Sequence, residues 1–147
     1  MRPCVIGPLL LGLVLGSACG GEEEANEARL LLDRYATLEH PDLGERRRRV
    51  DAFNRLPLRS ERVIAVRDAC GPLQDALLEA EEQSTVARRL VERLEGSAPG
   101  ERDPADAERV EAALGASNEA LGRVRALRDP CESALAELRA RYEEEEP

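Results

Sequence analysis

Two residue types in this chain could carry chemistry: the four cysteines and the single histidine. Cys70 and Cys131 do not have the C-x-x-C spacing of a redox pair, so we expect them to form a structural disulfide. His40 precedes Pro41, where a helix is expected to end, and it should face solvent. The sequence holds no nucleophile–histidine–acid set, metal-ligand cluster or glycine-rich phosphate loop. We therefore predict no catalytic residue, no cofactor and no metal, and we do not expect an enzyme.

A third cysteine, Cys19, ends a segment with the features of an export signal. Arg2 supplies a positive start, residues 4–15 are an apolar run, and the small residues 16–18 (Gly-Ser-Ala) precede Cys19. This arrangement resembles the lipobox of bacterial lipoproteins, in which signal peptidase II cuts before a lipidated cysteine. The resemblance implies that residues 1–18 are a signal peptide and that Cys19 carries palmitate-type acyl chains in a membrane. The apolar run is too short for a membrane-spanning helix, which needs about 20 residues.

One departure from the lipobox keeps a second interpretation open. Gly16 stands where the lipoprotein pattern usually has leucine, and Gly16 with Ala18 also fits ordinary signal peptidase cleavage at the same bond. That cleavage would give a soluble secreted protein. The number of cysteines favours lipidation. If Cys19 is acylated, the two cysteines that remain can pair with each other, whereas an unmodified Cys19 would leave one free thiol in an oxidising compartment. Gly20 after the anchor resembles the outer-membrane address of enterobacterial sorting, with the protein facing the periplasm.

The composition limits the partners that the chain can bind. It has 147 residues and a net charge of −9, and loss of Arg2 with the signal would make the charge −10. Strong negative charge disfavours nucleic acid and anionic lipid surfaces. Three aromatic residues and no tryptophan leave no platform for stacking bases or sugars, and no small-molecule substrate is evident. Abundant alanine, leucine, glutamate and arginine are typical of long helices and coiled coils.

The apolar spacing predicts four helices. The first runs from about residue 23 to 39, and the second is capped by Asp42 and ends near residue 56. Pro57 separates it from a long third helix that starts after Ser60, and a turn at residues 96–100 precedes a long fourth helix capped by Asp103. Inward positions with a seven-residue period follow in both long helices. The predicted inward residues are Val63, Val66, Cys70, Leu73, Leu77, Ala80, Ser84, Ala87, Val91 and Leu94, then Ala107, Val110, Leu114, Ser117, Leu121, Val124, Arg128, Cys131, Leu135, Leu138 and Tyr142.

These two stripes predict an antiparallel coiled-coil hairpin that is clamped by Cys70–Cys131. Counted in residues from the turn, the two cysteines lie at nearly the same height along the hairpin, with a difference of about 3 Å. This height is roughly 40 Å from the turn. On the chain-entropy model such a bond could contribute about 4 kcal/mol. Pro72 and Pro130 lie at this level too, so either both helices kink there or each is two helices that meet there.

The conspicuous arginines of the sequence are expected to form ion pairs within the protein. We expect Arg46 to Arg49 to form a solvated, salt-bridged surface, with a docking site for an acidic partner or lipid phosphate as the alternative. Arg128 lies on the apolar stripe near Asp68 and Asp129, which predicts an ion pair at the joint.

The sequence thus predicts an all-α protein: a long, disulfide-clamped antiparallel helical hairpin with two shorter N-terminal helices, as a three- or four-helix bundle. Its segments are a signal peptide (1–18), a lipid-anchored flexible tether (19–24), the helical domain (25–142) and an acidic tail (143–147). The expected function is that of a non-enzymatic cell-envelope lipoprotein, a structural spacer or protein-interaction module. Its partners would be the lipid bilayer, through acylated Cys19, and an unknown envelope protein. The alternative is a periplasmic helical chaperone or stress-sensing protein.

Overall fold

A computed structural model describes residues 19–98, 100 and 102–142, and four helices account for most of them. They are α1 (Cys19–Ala36), α2 (Leu43–Asn54), α3 (Glu61–Gly96) and α4 (Pro104–Tyr142). The two long helices, α3 and α4, form an antiparallel hairpin, and α1 and α2 pack against the part of it farther from the turn. The predicted all-α hairpin with two shorter N-terminal helices is confirmed. The predicted signal peptide (1–18) and acidic tail (143–147) lie outside the described residues.

The helix starts follow local capping rules. The Asp42 carboxylate accepts a hydrogen bond from Glu45 N at 2.7 Å, and that of Asp103 accepts one from Ala105 N at 3.0 Å. Ser60 occupies the N-cap of α3, but its side chain makes no capping bond. The carboxylate of Glu27 in α1 instead accepts hydrogen bonds from the backbone N–H groups of Arg59 and Ser60, at 2.9 and 2.8 Å, just before the helix begins. A tertiary contact therefore anchors the start of this helix.

The segment expected to be a flexible tether is helical. Helix α1 begins at Cys19 and includes residues 20–24, so the prediction of a tether at 19–24 is wrong. Three consecutive glutamates, Glu22 to Glu24, lie in its first two turns, where negative charge is favoured by the helix dipole. Glu24 also bonds to residues of α3 and α4, and this packing offsets the low helix propensity of the two preceding glycines.

Both long helices continue through their prolines. Pro72 lies inside α3 and Pro130 inside α4, so each helix is one element rather than two that meet. Both proline rings are exposed. A ring on the solvent side removes one backbone hydrogen bond without disturbing the packed face of its helix.

The core lies in the part of the molecule farther from the turn, which we call the base: α1, α2 and residues 61–82 and 122–142. Leu31, Val50, Phe53 and Leu138 are at most 1% exposed there, and they pack in one apolar cluster with both disulfide cysteines. The remaining hairpin, residues 83–121, is called the arm. Its described buried positions are mainly small: Ala87, Leu90, Asp106, Ala113, Ser117 and Ala120.

The predicted seven-residue stripe is correct in the base except at Arg128, which is exposed. In the arm it is correct only in part, since Ala87 and Ser117 are buried but other predicted positions are not. Along α3, Cys70 is fully buried, Leu77 and Ser84 are half-buried, and Val91 is 37% exposed. In α4, Leu114 and Leu121 are 48% and 39% exposed, and Ala107 is exposed. An α-helix drifts by about 20° per heptad relative to a strict repeat of seven, so the stripe rotates out of the hairpin seam.

Candidate functional site

The predicted disulfide is present at the centre of the base. Cys70 and Cys131 are bonded, their Cα atoms are 4.7 Å apart, and both are fully buried. The sequence prediction of this pairing is confirmed. Because no part of either cysteine reaches solvent, thiol exchange at this bond requires the base to open. The arrangement suits a structural clamp better than a redox centre.

A small polar group lies beside the disulfide. The hydroxyl of Tyr35 is 3.6 Å from Cys131 Sγ and accepts a hydrogen bond from Gln74 Nε2 at 3.2 Å. Phe53 packs against Tyr35 with ring centroids 5.8 Å apart. Gln74 Oε1 is buried without a partner among the described residues. The sequence analysis missed Gln74, because it lies next to the inward Leu73 and carries no motif.

Helix α2 approaches α3 most closely at Gly71. A Cβ atom on Gly71 would overlap Asn54 Oδ1, so a larger residue at this position requires the Asn54 side chain to move. Asn54 Nδ2 in turn donates to Asp75 Oδ2 at 3.1 Å. Burial raises the pKa of Asp75, partly offset by this hydrogen bond, and the Asp51 carboxylate raises it further. This contact fixes the C-terminal end of α2 beside the disulfide.

The four consecutive arginines of α2 bind carboxylates of the same chain. Arg46 is buried and pairs with Glu81 and Glu39, while Arg47 binds Glu82 through two hydrogen bonds. Arg48 and Arg49 both pair with Glu45 and hold its pKa below the ordinary value of 4.5. The predicted salt-bridged surface is therefore correct. The side chains that an acidic partner would need are already occupied, which argues against the docking alternative.

A second polar cluster joins three helices at the open end of the hairpin, where α3 begins and α4 ends. Tyr142 Oη donates to Glu24 Oε1, and Arg62 Nη1 donates to the same oxygen at 2.6 Å. The Tyr142 bond and then Arg62 hold the pKa of Glu24 below 4.5, while burial and the Glu24 contact raise the pKa of Tyr142 above 10.0. The cluster ties α1 to the hairpin five residues after Cys19.

A groove of about 840 Å³ lies at the junction of base and arm, between the start of α2 and the hairpin. Its apolar lining includes Leu77, Ala80 and Leu121, and Arg46, Arg88 and Arg89 contribute charge. Because Glu39, Asp42 and Glu81 also line it, the groove is amphipathic and balanced in charge.

Other predicted site residues are placed as follows. Cys19 is the first residue of α1, and its side chain lies outside the described residues, so lipidation stays a prediction. His40 is half-buried, and its Nδ1 accepts from Asp42 N at 3.1 Å. Arg128 is exposed, and Asp68 pairs with Arg67 at 2.7 Å instead, so the predicted Arg128 ion pair is wrong.

Two searches of the described residues bear on metals and membranes. No group of three or more histidine, cysteine, aspartate or glutamate side chains there is placed to hold a metal ion. No described helix is long and apolar enough to cross a membrane. Comparisons with protein-family models, with curated proteins and with solved structures found no match to this chain.

Proposed function

We propose that this protein is a non-enzymatic lipoprotein of the bacterial cell envelope, anchored by acylated Cys19, whose hairpin arm contacts another envelope protein. The proposed anchor rests on the export-type segment and on the three small residues before Cys19. Two or more acyl chains make such attachment stable. Gly20 favours the outer membrane, facing the periplasm, as the address.

The observation that carries the interaction role is the contrast between base and arm. In the base, the conspicuous polar groups bind one another: Arg46 to Arg49 bind glutamates, and Tyr142 binds Glu24. On the arm, Val91, Leu114 and Leu121 are 37%, 48% and 39% exposed. Exposed large apolar side chains in an otherwise charged surface favour a protein contact.

The groove favours a second candidate, a periplasmic chaperone or stress sensor. A chaperone needs an exposed apolar concavity, and Leu77 and Leu121 line one. A direct test is suppression of aggregation of a reduced, unfolding client by the purified chain. Chaperone action predicts suppression at stoichiometric amounts that Leu121→Glu removes. A contact module predicts no suppression by either form.

The decisive experiment for the anchor is the intact mass of the protein from native envelopes, with and without reduction. The proposal predicts acyl groups on a chain that begins at Cys19, and a gain of two hydrogens when Cys70–Cys131 is reduced. Cys19→Ala is the matched control and should remain unprocessed by signal peptidase II. An unacylated chain that begins at Cys19 would instead make this a soluble secreted protein.

A further inference from the structure

An apolar strip runs along one face of the arm from the groove toward the turn. Leu77 and Ser84 line the groove, and Val91 is the next residue at the same spacing of seven in α3. Leu121 lines the groove in α4, and Leu114 lies seven residues before it, about 10 Å nearer the turn. Val91 and Leu114 therefore continue the groove lining on the same face of the hairpin, where they are 37% and 48% exposed.

Helix α2 packs beside the groove closer to the open end. Of the two described hairpin helices it contacts α3 but not α4, and its Arg46 and Asn54 bond to Glu81 and Asp75 of α3. Beyond the start of α2, no described helix covers the strip. Beyond Glu81 the strip thus lies uncovered for about 15 residues of α3, or roughly 22 Å. This length of face has room for another helix.

The charges beside the strip point to a second copy of this chain as the occupant. Arg88 lies three residues before Val91 and Glu95 four residues after it, so both flank Val91 on its own side of α3. Both are exposed, and the arm's ion pairs among the described residues use Arg93 and Arg109 instead. In an antiparallel dimer, α3 of one copy packs against α3 of the second copy, with the two Val91 residues at the centre. Arg88 of each copy then lies opposite Glu95 of the other.

The shape of the molecule fits the same arrangement. With Val91 close to the two-fold axis, Gly96 at the end of one α3 lies opposite Ala87 of the other copy. The turn of each arm then reaches the rim of the partner's groove, where α2 begins. Val110 is level with Val91 because each is 21 residues from the bonded cysteine of its helix, so α4 also brings an apolar residue to the axis.

We propose that two copies of this protein associate through their arms, antiparallel, with Val91 and Leu114 buried between them and with reciprocal Arg88–Glu95 ion pairs. Two hairpin arms then form a four-helix bundle, which continues the packing that α2 provides in the base. The open ends, each beside its own Cys19, lie about 90 Å apart in this dimer. The dimer goes beyond the proposed anchor and does not depend on it.

The first test measures the mass of the full chain, purified in a density-matched detergent, by sedimentation equilibrium. The wild type is expected to form dimers, and Val91→Glu should raise the dimer dissociation constant at least about tenfold, because it buries charge at the axis. Val86→Glu is the matched control, since Val86 is 43% exposed on the arm but outside the seven-residue strip. Equal weakening by both variants would overturn the proposed face, and a monomeric wild type would overturn the dimer.

The second test exchanges the charges. Arg88→Glu and Glu95→Arg should each weaken the dimer about tenfold, since each places like charges opposite one another. The double variant Arg88→Glu with Glu95→Arg should restore dimerisation, because the reciprocal pairs re-form with reversed sign. Circular dichroism of each variant verifies that the helices persist. If the double variant dimerises even more weakly than either single variant, the antiparallel register is wrong. Binding of a different protein at this strip, without self-association, would also overturn the proposal.

Discussion

The base and the arm are built from the same two long helices, yet they are held together in different ways. In the base, large side chains such as Phe53, Leu31 and Leu138 are at most 1% exposed, and the Cys70–Cys131 bond joins the two helices. In the arm, the seam between the helices contains mainly small residues, and leucine and valine lie on the outside. Burial of large apolar side chains dominates folding stability. The base therefore stabilises the fold, and the arm displays a surface.

The polar residues differ in the same way. Charged groups of the base are paired across helices, as in Arg46–Glu81 and Arg62–Glu24. The arm retains one well-buried carboxylate, Asp106, which pairs with Arg93 and Arg109 beside the turn. Arg88 and Glu95 have no comparable partner among the described residues. Side chains left without internal partners are the ones available to another molecule.

The largest expected effect is loss of the clamp in the base. The variant with Cys70→Ala and Cys131→Ala should lose about 4 kcal/mol of unfolding free energy, because the bond closes a loop of 61 residues in the unfolded chain. Urea denaturation measured by circular dichroism gives this value. The reduced wild type is the control and should fall by a similar amount. A loss under about 1 kcal/mol would mean that the apolar core of the base holds the hairpin without its clamp.

The second prediction compares one residue type in the two regions of α4. Leu135→Ala in the base should cost about 3 kcal/mol, because Leu135 is 4% exposed and its removal leaves a cavity. Leu114→Ala in the arm should change the unfolding free energy by less than about 0.5 kcal/mol, since Leu114 is 48% exposed. Both are measured by urea denaturation at a concentration where the chain is monomeric. Similar costs for the two variants would remove the distinction between the regions.

The base was also easier to predict from the sequence than the arm. Four helices, two of the caps and the disulfide follow from the spacing of apolar residues, from Asp42 and Asp103, and from the common level of Cys70 and Cys131. In the arm the repeat of seven places Ala87 and Ser117 in the seam correctly. It misses the buried residues Leu90, Ala113 and Ala120, which pack there in place of Val91, Leu114 and Leu121. A pattern of apolar residues does not specify which of two neighbouring faces is used.

The polar contacts of the candidate site were harder to predict, because they join residues that are distant in the chain. Glu27 binds the residues just before a helix that begins more than 30 residues later, and Gly71 lies against the side chain of Asn54 of another helix. Neither residue belongs to a local motif. The groove depends on how the start of α2 meets α3, and that angle is set by tertiary packing rather than by propensity.

The third prediction tests the contact that fixes α2 on the base. Gly71→Ala should cost about 1–2 kcal/mol, because the new methyl group overlaps Asn54 Oδ1 and must displace it. In a chain that already carries Asn54→Ala, the same substitution should instead stabilise by about 1 kcal/mol, since alanine has the higher helix propensity. The double-mutant cycle is measured by thermal and urea unfolding. Equal effects of Gly71→Ala in both backgrounds would place the cost of the substitution elsewhere in α3.

The smallest expected effect concerns the open end and its dependence on pH. The folded pKa of Glu24 lies below the unfolded value because Tyr142 and Arg62 favour its ionised form. Its contribution to stability is therefore complete above the unfolded value, near 4.5, and is lost as the pH falls through the lower folded pKa. Unfolding free energies of the wild type and of Glu24→Gln should differ by a constant amount from pH 7 to about 5, and should converge below pH 4.5.

Tyr142→Phe provides the matched control for this cluster, because it removes the hydrogen bond that lowers the Glu24 pKa most and leaves Arg62 in place. Its acid-side loss of stability should be shallower than that of the wild type but steeper than that of Glu24→Gln. If all three proteins lose stability in parallel below pH 4.5, the acid sensitivity belongs to other carboxylates, Glu45 first among them. The ionised Glu24 would then contribute nothing measurable to joining α1 to the hairpin, and the contrast between the base and the arm at this end would rest on side-chain size rather than on this charge pair.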